Sequence, residues 1–199
     1  MNDKKKAVLV VSFGTSYEET RKKTIDQIEN DQMKADVAAY ADRFMRVSIG
    51  TPVLTTAEDS KYVIDAIVKE LHPAKDEALV LMGHGTEHYA DAVYAALDYQ
   101  FKDLGHSNIF MGTVEGYPAL ESVMRLVQKA GYRHVVLAPF MIVAGDHANN
   151  DLAGDEEDSW KSVFEAAGFS VRCVLKGLGE YADIRKLLLS HAEKAMEQV

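Results

Sequence analysis

The sequence predicts an α/β fold built from parallel sheets with helices packed on their faces. Three observations predict it. Short β-rich apolar runs recur along the chain, and most are followed by a glycine-marked turn. Amphipathic helical patterns separate successive runs. Two of the runs each hand a histidine to the loop that follows. Strands alternating with helices imply right-handed βαβ units on a parallel sheet.

The run at 7–13, AVLVVSF, reads as a strand buried on both faces. Gly14, Thr15 and Ser16 follow, then a charged helical pattern over 18–34 that Thr15 or Ser16 could cap. A second short strand is expected at 44–49. Residues 56–71 read as a helix with Ala57, Val63, Ile64, Ile67 and Leu71 on one stripe, stopped by Pro73. Strands are then expected at 78–82, 109–114, 135–143 and 170–174. Helices are expected at 91–104, 120–130 and 157–167, with a last one after Gly177, Leu178 and Gly179. The first part of the chain supplies fewer strands per residue than the second. The division is a lobe over 1–74, a lobe over 75–179, and a C-terminal helix over 180–199 expected to pack on the first.

At 199 residues and 47% hydrophobic, the chain can bury a sizeable core. A net charge of −9 argues against nucleic acid and anionic membrane as partners, because both repel such a surface. It leaves room for an anionic small molecule held by local donors. The single cysteine, Cys173, can form neither an internal disulfide nor a thiolate metal site, and reads as a packed core thiol. The apolar run at 7–13 is shorter than a signal-peptide core, and nothing approaches transmembrane length. A cytoplasmic protein is expected.

The chemistry concentrates at strand ends. His84 lies between Gly83 and Gly85, and His147 sits in a polar loop with Asp146, Asn149, Asn150 and Asp151. In an open α/β sheet, ligands bind at the C-terminal strand ends. Glu115 ends the intervening strand. Two imidazoles and one carboxylate make a set suited to Co, Zn, Ni or Fe rather than Mg or Ca. His88 follows His84 by four residues, but glycines flank His84 and make a shared helix unlikely, so His88 is at most an outer group supporting His84. His72, His106, His134 and His191 read as surface residues. The acidic run 155–158 does not match a calcium loop and reads as a helix start, with Asp155 and Asp158 as caps. Gly14, Thr15 and Ser16 lack a nucleotide-loop pattern yet offer donors to an anion. No G-x-S-x-G elbow is present, so acyl hydrolysis has no evident nucleophile.

These segments resemble the class II chelatases, specifically the anaerobic sirohydrochlorin cobaltochelatases. The matching stretches are VVSFGTSYEETRKKTI, VSIGTPVLTT, LVLMGHGTEHYADAVYAALDY, MGTVEGYPALESV, PFMIVAGDHANNDLAGDEEDSWKSV and GLGE. The resemblance implies a chelatase-like fold of two Rossmann-like lobes facing across a cleft. Between Ile25 and Tyr40 the chain departs from the family pattern, which implies a first lobe reduced by a helix and two strands. That region normally gives the cleft an acidic residue, for which Glu29 and Asp31 are the candidates.

The resemblance also implies His84 and His147 as the active-site histidines and Glu115 as a metal ligand. Co2+ is then the substrate metal, sirohydrochlorin the tetrapyrrole, and no organic cofactor is needed. His84 is expected to accept a pyrrole proton, and Asp146 to orient His147. Ser12, Gly14, Thr15, Ser16, Gly85 and Thr86 are expected to anchor substrate carboxylates. A homo-oligomer is implied. A ferrochelatase making sirohaem, or a metal- or tetrapyrrole-binding protein without turnover, are the alternatives.

Overall fold

The computed structural model describes residues 38–39, 41–44, 47–87 and 89–197. The strand expected at 7–13, the helix expected at 18–34, and Ser12, Gly14, Thr15, Ser16, Glu29, Asp31 and His88 lie outside the described residues. Of the strand expected at 44–49, Phe44 and Ile49 are single bridge residues.

Four strands form one sheet: β1 (Glu77–Gly83), β2 (Ile109–Thr113), β3 (His134–Pro139) and β4 (Ser170–Cys173). They run parallel in the order β2-β1-β3-β4. Helices α1 (Ala57–Leu71), α2 (Ala92–Asp103), α3 (Leu120–Ala130), α4 (Trp160–Ala166) and α5 (Ala182–Glu197) complete the described fold.

Alternation along the strands sorts the core into two layers. Leu79, Leu81, Ile109, Met111, Val136 and Ala138 pack with buried residues of α1, α2 and α5. Ala78, Val80, Met82, Phe110, Val135 and Leu137 pack with those of α3 and α4. β1, β2 and β3 are almost continuously buried because helices cover both faces, whereas β4 is short, partly polar and only partly covered. On α1 the buried stripe is Val63, Ile64, Ala66 and Ile67, while Ala57 is exposed and Leu71 only partly covered. Truncating Ile64 or Ile67, both fully buried, to alanine costs about 2–5 kcal/mol. Thr56 caps α1 by accepting from Asp59 N at 3.0 Å, and His72 ends it in the left-handed region at φ 42°. Although α1 falls within 1–74, it shares its core with the sheet of residues 77–173.

Three local readings are corrected. The third strand stops at Pro139 rather than 143; Phe140 N still donates to Met82 O at 2.7 Å, and the chain then bends away. The cap of α4 is Ser159, which accepts from Ser162 N at 3.1 Å, and not the acidic run before it. Asp155 instead pairs with Lys161 at 2.6 Å. Cys173 is half-buried against one core layer, and burial pushes its thiol pKa up.

Among the described residues, the outer edge of β2 is met by two side chains and one backbone carbonyl. Met111 N donates to Asp98 at 2.9 Å, and Lys102 donates to Ile109 O at 2.6 Å. Thr113 N donates to Pro118 O at 2.8 Å. Satisfying these groups removes the template that an open edge offers to other chains. The strand order places a topological switch point between β1 and β3, so a crevice opens at their C-terminal ends.

Candidate functional site

His84 follows β1 and His147 lies in the connection after β3, so both reach the switch-point crevice. Their rings meet edge to face, with centroids 5.0 Å apart and an interplanar angle of 80°. Two imidazoles sharing a tetrahedral ion, with metal–nitrogen bonds of about 2.1 Å, have centroids about 5 Å apart. The two rings thus stand at a spacing that one divalent ion can bridge.

The first side of the site is built from backbone. Val114 N donates to Gly83 O at 3.0 Å, and Glu115 N donates to His84 O at 2.9 Å. Gly85 adopts φ +79°, and a Cβ there would lie 2.4 Å from Gly116 N. Glycine is required at Gly85 both for the conformation and for the close approach. Tyr94 supports this loop from below: its ring occupies the space beside Gly83, and its hydroxyl hydrogen-bonds the Gly85 backbone. Burial pushes the Tyr94 pKa up.

The second side is built from a turn of π-helix. The polar segment expected as an open loop forms a π-helical turn over Ala148–Leu152, with His147 at its start. Such turns are rare and recur at functional sites. Gly154 closes the turn by donating to Asn150 O at 3.0 Å, where a Cβ would lie 2.3 Å from that oxygen. The approach to His147 is braced by Leu178 N, which donates to Met141 O at 2.8 Å, and by Gly179 N, which donates to Ile142 O at 2.9 Å.

His147 Nδ1 is hydrogen-bonded to the Asp151 carboxylate, four residues on. This corrects the expected partner: Asp146 instead accepts from Asn150 Nδ2 at 2.8 Å. The reason is helical geometry, in which residues four apart share a face and adjacent ones do not. Engaging Nδ1 leaves Nε2 to face a metal, the arrangement in which a carboxylate fixes the tautomer of a ligating histidine.

Glu115 is placed on the loop beside His84, and its side chain is exposed. Among the described residues, no three His, Cys, Asp or Glu side chains stand close enough together to hold a metal. The structure therefore brings the two imidazoles together and leaves the carboxylate on the adjacent loop. Gly85 and Thr86 were expected as anion anchors, but their backbone is committed inward. Gly85 bonds with Tyr94, and Thr86 N donates to Asp91 Oδ1 at 3.0 Å.

The sequence profile described as cobalt chelatase (CbiK) matches residues 29–197. The chain belongs to the CbiK cobalt chelatase family. It is 35% identical to the sirohydrochlorin cobaltochelatase of Salmonella typhimurium over 169 residues, which cover 84% of this chain and 64% of that protein. It is 34% identical to the sirohydrochlorin cobaltochelatase CbiKC of Nitratidesulfovibrio vulgaris, over 84% of this chain and 61% of that protein. The chain spans less than two thirds of the length of both curated relatives. SirB from Bacillus subtilis with Fe3+ superposes at TM-score 0.58 and 14% identity, over 86% of this chain and 67% of that one. The likeness to SirB shows a shared chelatase fold.

Two side chains in this CbiK-family protein escaped the sequence reading. Asp151 had a visible signal, its i+4 spacing from His147. His191, read as surface, is buried at 7% exposure. Its Nδ1 meets Thr51 O at 2.7 Å and its Nε2 meets Asp59 Oδ1 at 3.2 Å. It ties α5 to α1 and to the segment before α1. No described helix is long and apolar enough to cross a membrane.

Proposed function

We propose that the protein is a sirohydrochlorin cobaltochelatase, inserting Co2+ into sirohydrochlorin on the anaerobic route to cobalamin. The single observation that carries this reading is the pair of imidazoles from two switch-point loops, 5.0 Å apart, in a chain of the cobalt chelatase family. Both curated relatives bear the name sirohydrochlorin cobaltochelatase.

Metal insertion makes two demands: the ion must shed water, and two pyrrole N–H protons must leave. Imidazole serves both, because the neutral ring binds a divalent ion and the same nitrogen accepts a proton near neutral pH. His147, its Nδ1 held by Asp151, presents Nε2 to Co2+. His84 joins it as ligand; once the ion passes to the macrocycle, the freed His84 nitrogen accepts one pyrrole proton and the other leaves to solvent water. Glu115 swings in from its exposed position on the neighbouring loop as the third ligand. Recruiting the third ligand late keeps the ion transferable. Tyr89, Tyr117 and Val143 are 69%, 63% and 71% exposed on the loops after β1, β2 and β3. They form an apolar rim suited to the flat macrocycle. Ser12, Gly14, Thr15 and Ser16, outside the described residues, are the donors this reading assigns to the substrate carboxylates. Cytoplasmic location and homo-oligomeric assembly belong to the same reading.

The test is Co2+ insertion into sirohydrochlorin, followed by absorbance, with Fe2+ in parallel under anoxic conditions. Turnover with Co2+ is expected, falling at least about 100-fold in a His84→Ala, His147→Ala double variant. Normal turnover in that variant would refute the mechanism. Faster insertion of Fe2+ would reassign the metal.

A further inference from the structure

We propose that Asp91 is a positioning residue for the His84 side of the site, its carboxylate clamping the loop after β1 to the loop after β2. The consequence for metal uptake rests on the chelatase reading above; the clamp itself does not.

Asp91 precedes α2 and makes no capping bond to that helix with its side chain. Its two carboxylate oxygens go elsewhere. Oδ1 accepts from Thr86 N at 3.0 Å, and Oδ2 accepts from Tyr117 N at 2.7 Å. Thr86 lies two residues after His84, and Tyr117 lies two residues after Glu115. One carboxylate therefore bridges the two loops that carry the first imidazole and the expected third ligand. Both bonds are charge-assisted, the stronger kind.

The sequence makes room for this bridge. The three atoms nearest a Cβ placed on Gly116 all belong to the Asp91 carboxylate, at 2.1, 2.6 and 2.7 Å. A residue with a side chain at Gly116 would evict the carboxylate. Gly85 meets Gly116 backbone to backbone, and Glu115 N bonds His84 O at 2.9 Å. Asp91 closes the far end of this contact. A site whose ligands come from two loops needs their spacing fixed to fractions of an ångström, and outer-shell partners supply that fixity. Tyr117, on the proposed apolar rim, is fixed by the same bond.

The experiment uses the full chain in four forms: wild type, Asp91→Ala, Gly116→Ala and the double variant. Amide hydrogen exchange at Thr86 and Tyr117 reads the clamp without reference to activity. Titration with Co2+ alone and turnover with sirohydrochlorin, both below the melting temperature, read its effect on the site. Asp91→Ala is expected to speed exchange at both amides at least about tenfold and to weaken Co2+ binding about tenfold. Gly116→Ala should reproduce both effects by displacing the carboxylate. The double variant should be no worse than Asp91→Ala, because the clash is gone. Asp91→Asn keeps one carbonyl acceptor and should fall between; it replaces Asp91→Ala if that variant does not fold. Unchanged exchange at both amides overturns the clamp. Faster exchange with unchanged Co2+ affinity and turnover overturns the positioning role. Additive losses in the double variant overturn the link between Gly116 and Asp91. A wild type that binds Co2+ but inserts none refutes the chelatase reading, and exchange with Co2+ affinity still decides the role of Asp91.

Discussion

The two sides of the crevice hold their histidines by different means. On the β1 side, His84 sits between backbone hydrogen bonds, at Gly83 O and at its own carbonyl, and beside a glycine where a Cβ would collide with the next loop. On the β3 side, His147 is held through its ring, by Asp151 across one turn of π-helix. Next to its histidine, the first arrangement depends on missing side chains, at Gly85 and Gly116. The second depends there on a carboxylate that is present. Adding an atom close to the histidine should therefore damage the first side, at Gly85, more than the second, at Gly145, and removing charge should damage the second. Farther along the second side Gly154 is as closed as Gly85, a Cβ there lying 2.3 Å from Asn150 O.

The largest effect is expected from one added methyl group. At Gly85 a Cβ would meet Gly116 N at 2.4 Å and Thr113 Cβ at 2.8 Å, with φ at +79°. Neither neighbour is a flexible side-chain end, so Gly85→Ala should lower stability by about 2–4 kcal/mol. Gly145, on the other side, has nothing within 4 Å of its Cβ position. Gly145→Ala should change stability by less than about 0.5 kcal/mol. Urea unfolding measures both, and equal effects would erase the contrast between the two sides.

Asp151→Asn sharpens the contrast from the other direction. The Asp151 carboxylate is 45% exposed, so its hydrogen bond to His147 is screened by water and its loss should cost no more than about 1 kcal/mol of stability. The effect on the site should be larger. Without the carboxylate to fix its tautomer, His147 should bind Co2+ about tenfold more weakly, read by titration of the tetrapyrrole-free protein. Unchanged affinity would mean that the π-helical backbone alone orients the ring.

Much of this was legible from the sequence, and the misses share a cause. The β1, β2 and β3 runs stand out because strands covered on both faces must be largely apolar, while β4 shows only the weaker alternation of a half-covered strand. His84 and His147 stand out because each follows such a run. Adjacency along the chain points to Asp146 as the partner of His147, whereas a helical turn pairs His147 with Asp151, four residues on. His191 carried a signal of its own: it falls on the stripe of Ile184, Leu187 and Ala195, all buried on α5. A histidine on an apolar stripe needs partners, and Thr51 O and Asp59 supply them from distant segments. Asp91 carried no such signal. Its two partners are backbone amides, one of them 26 positions away, and backbone donors leave no trace in residue identity.

The smallest effect lies at the opposite end of the sheet and tests whether the crevice is insulated from it. Arg172 on β4 donates Nε and Nη2 to the two carboxylate oxygens of Glu77 on β1, both at 3.1 Å. That hydrogen bonding, led by the guanidinium, holds the Glu77 carboxyl below its ordinary 4.5. A depressed folded-state pKa contributes stability above the unfolded value and loses it as pH falls through the folded one. Arg172 is half-exposed, so screening limits the pair to about 0.5–1 kcal/mol. Arg172→Gln should therefore lower stability by that amount at pH 7. The gap from wild type should close as the pH drops below about 4.5 and both proteins carry a neutral Glu77. Co2+ affinity should not move, because the pair sits at the N-terminal end of β1 while both histidines sit beyond the C-terminal strand ends. A shift in Co2+ affinity would show that strain at one end of the parallel sheet reaches the loops at the other. The rigidity assigned to the Gly85–Gly116 contact would then belong to the sheet.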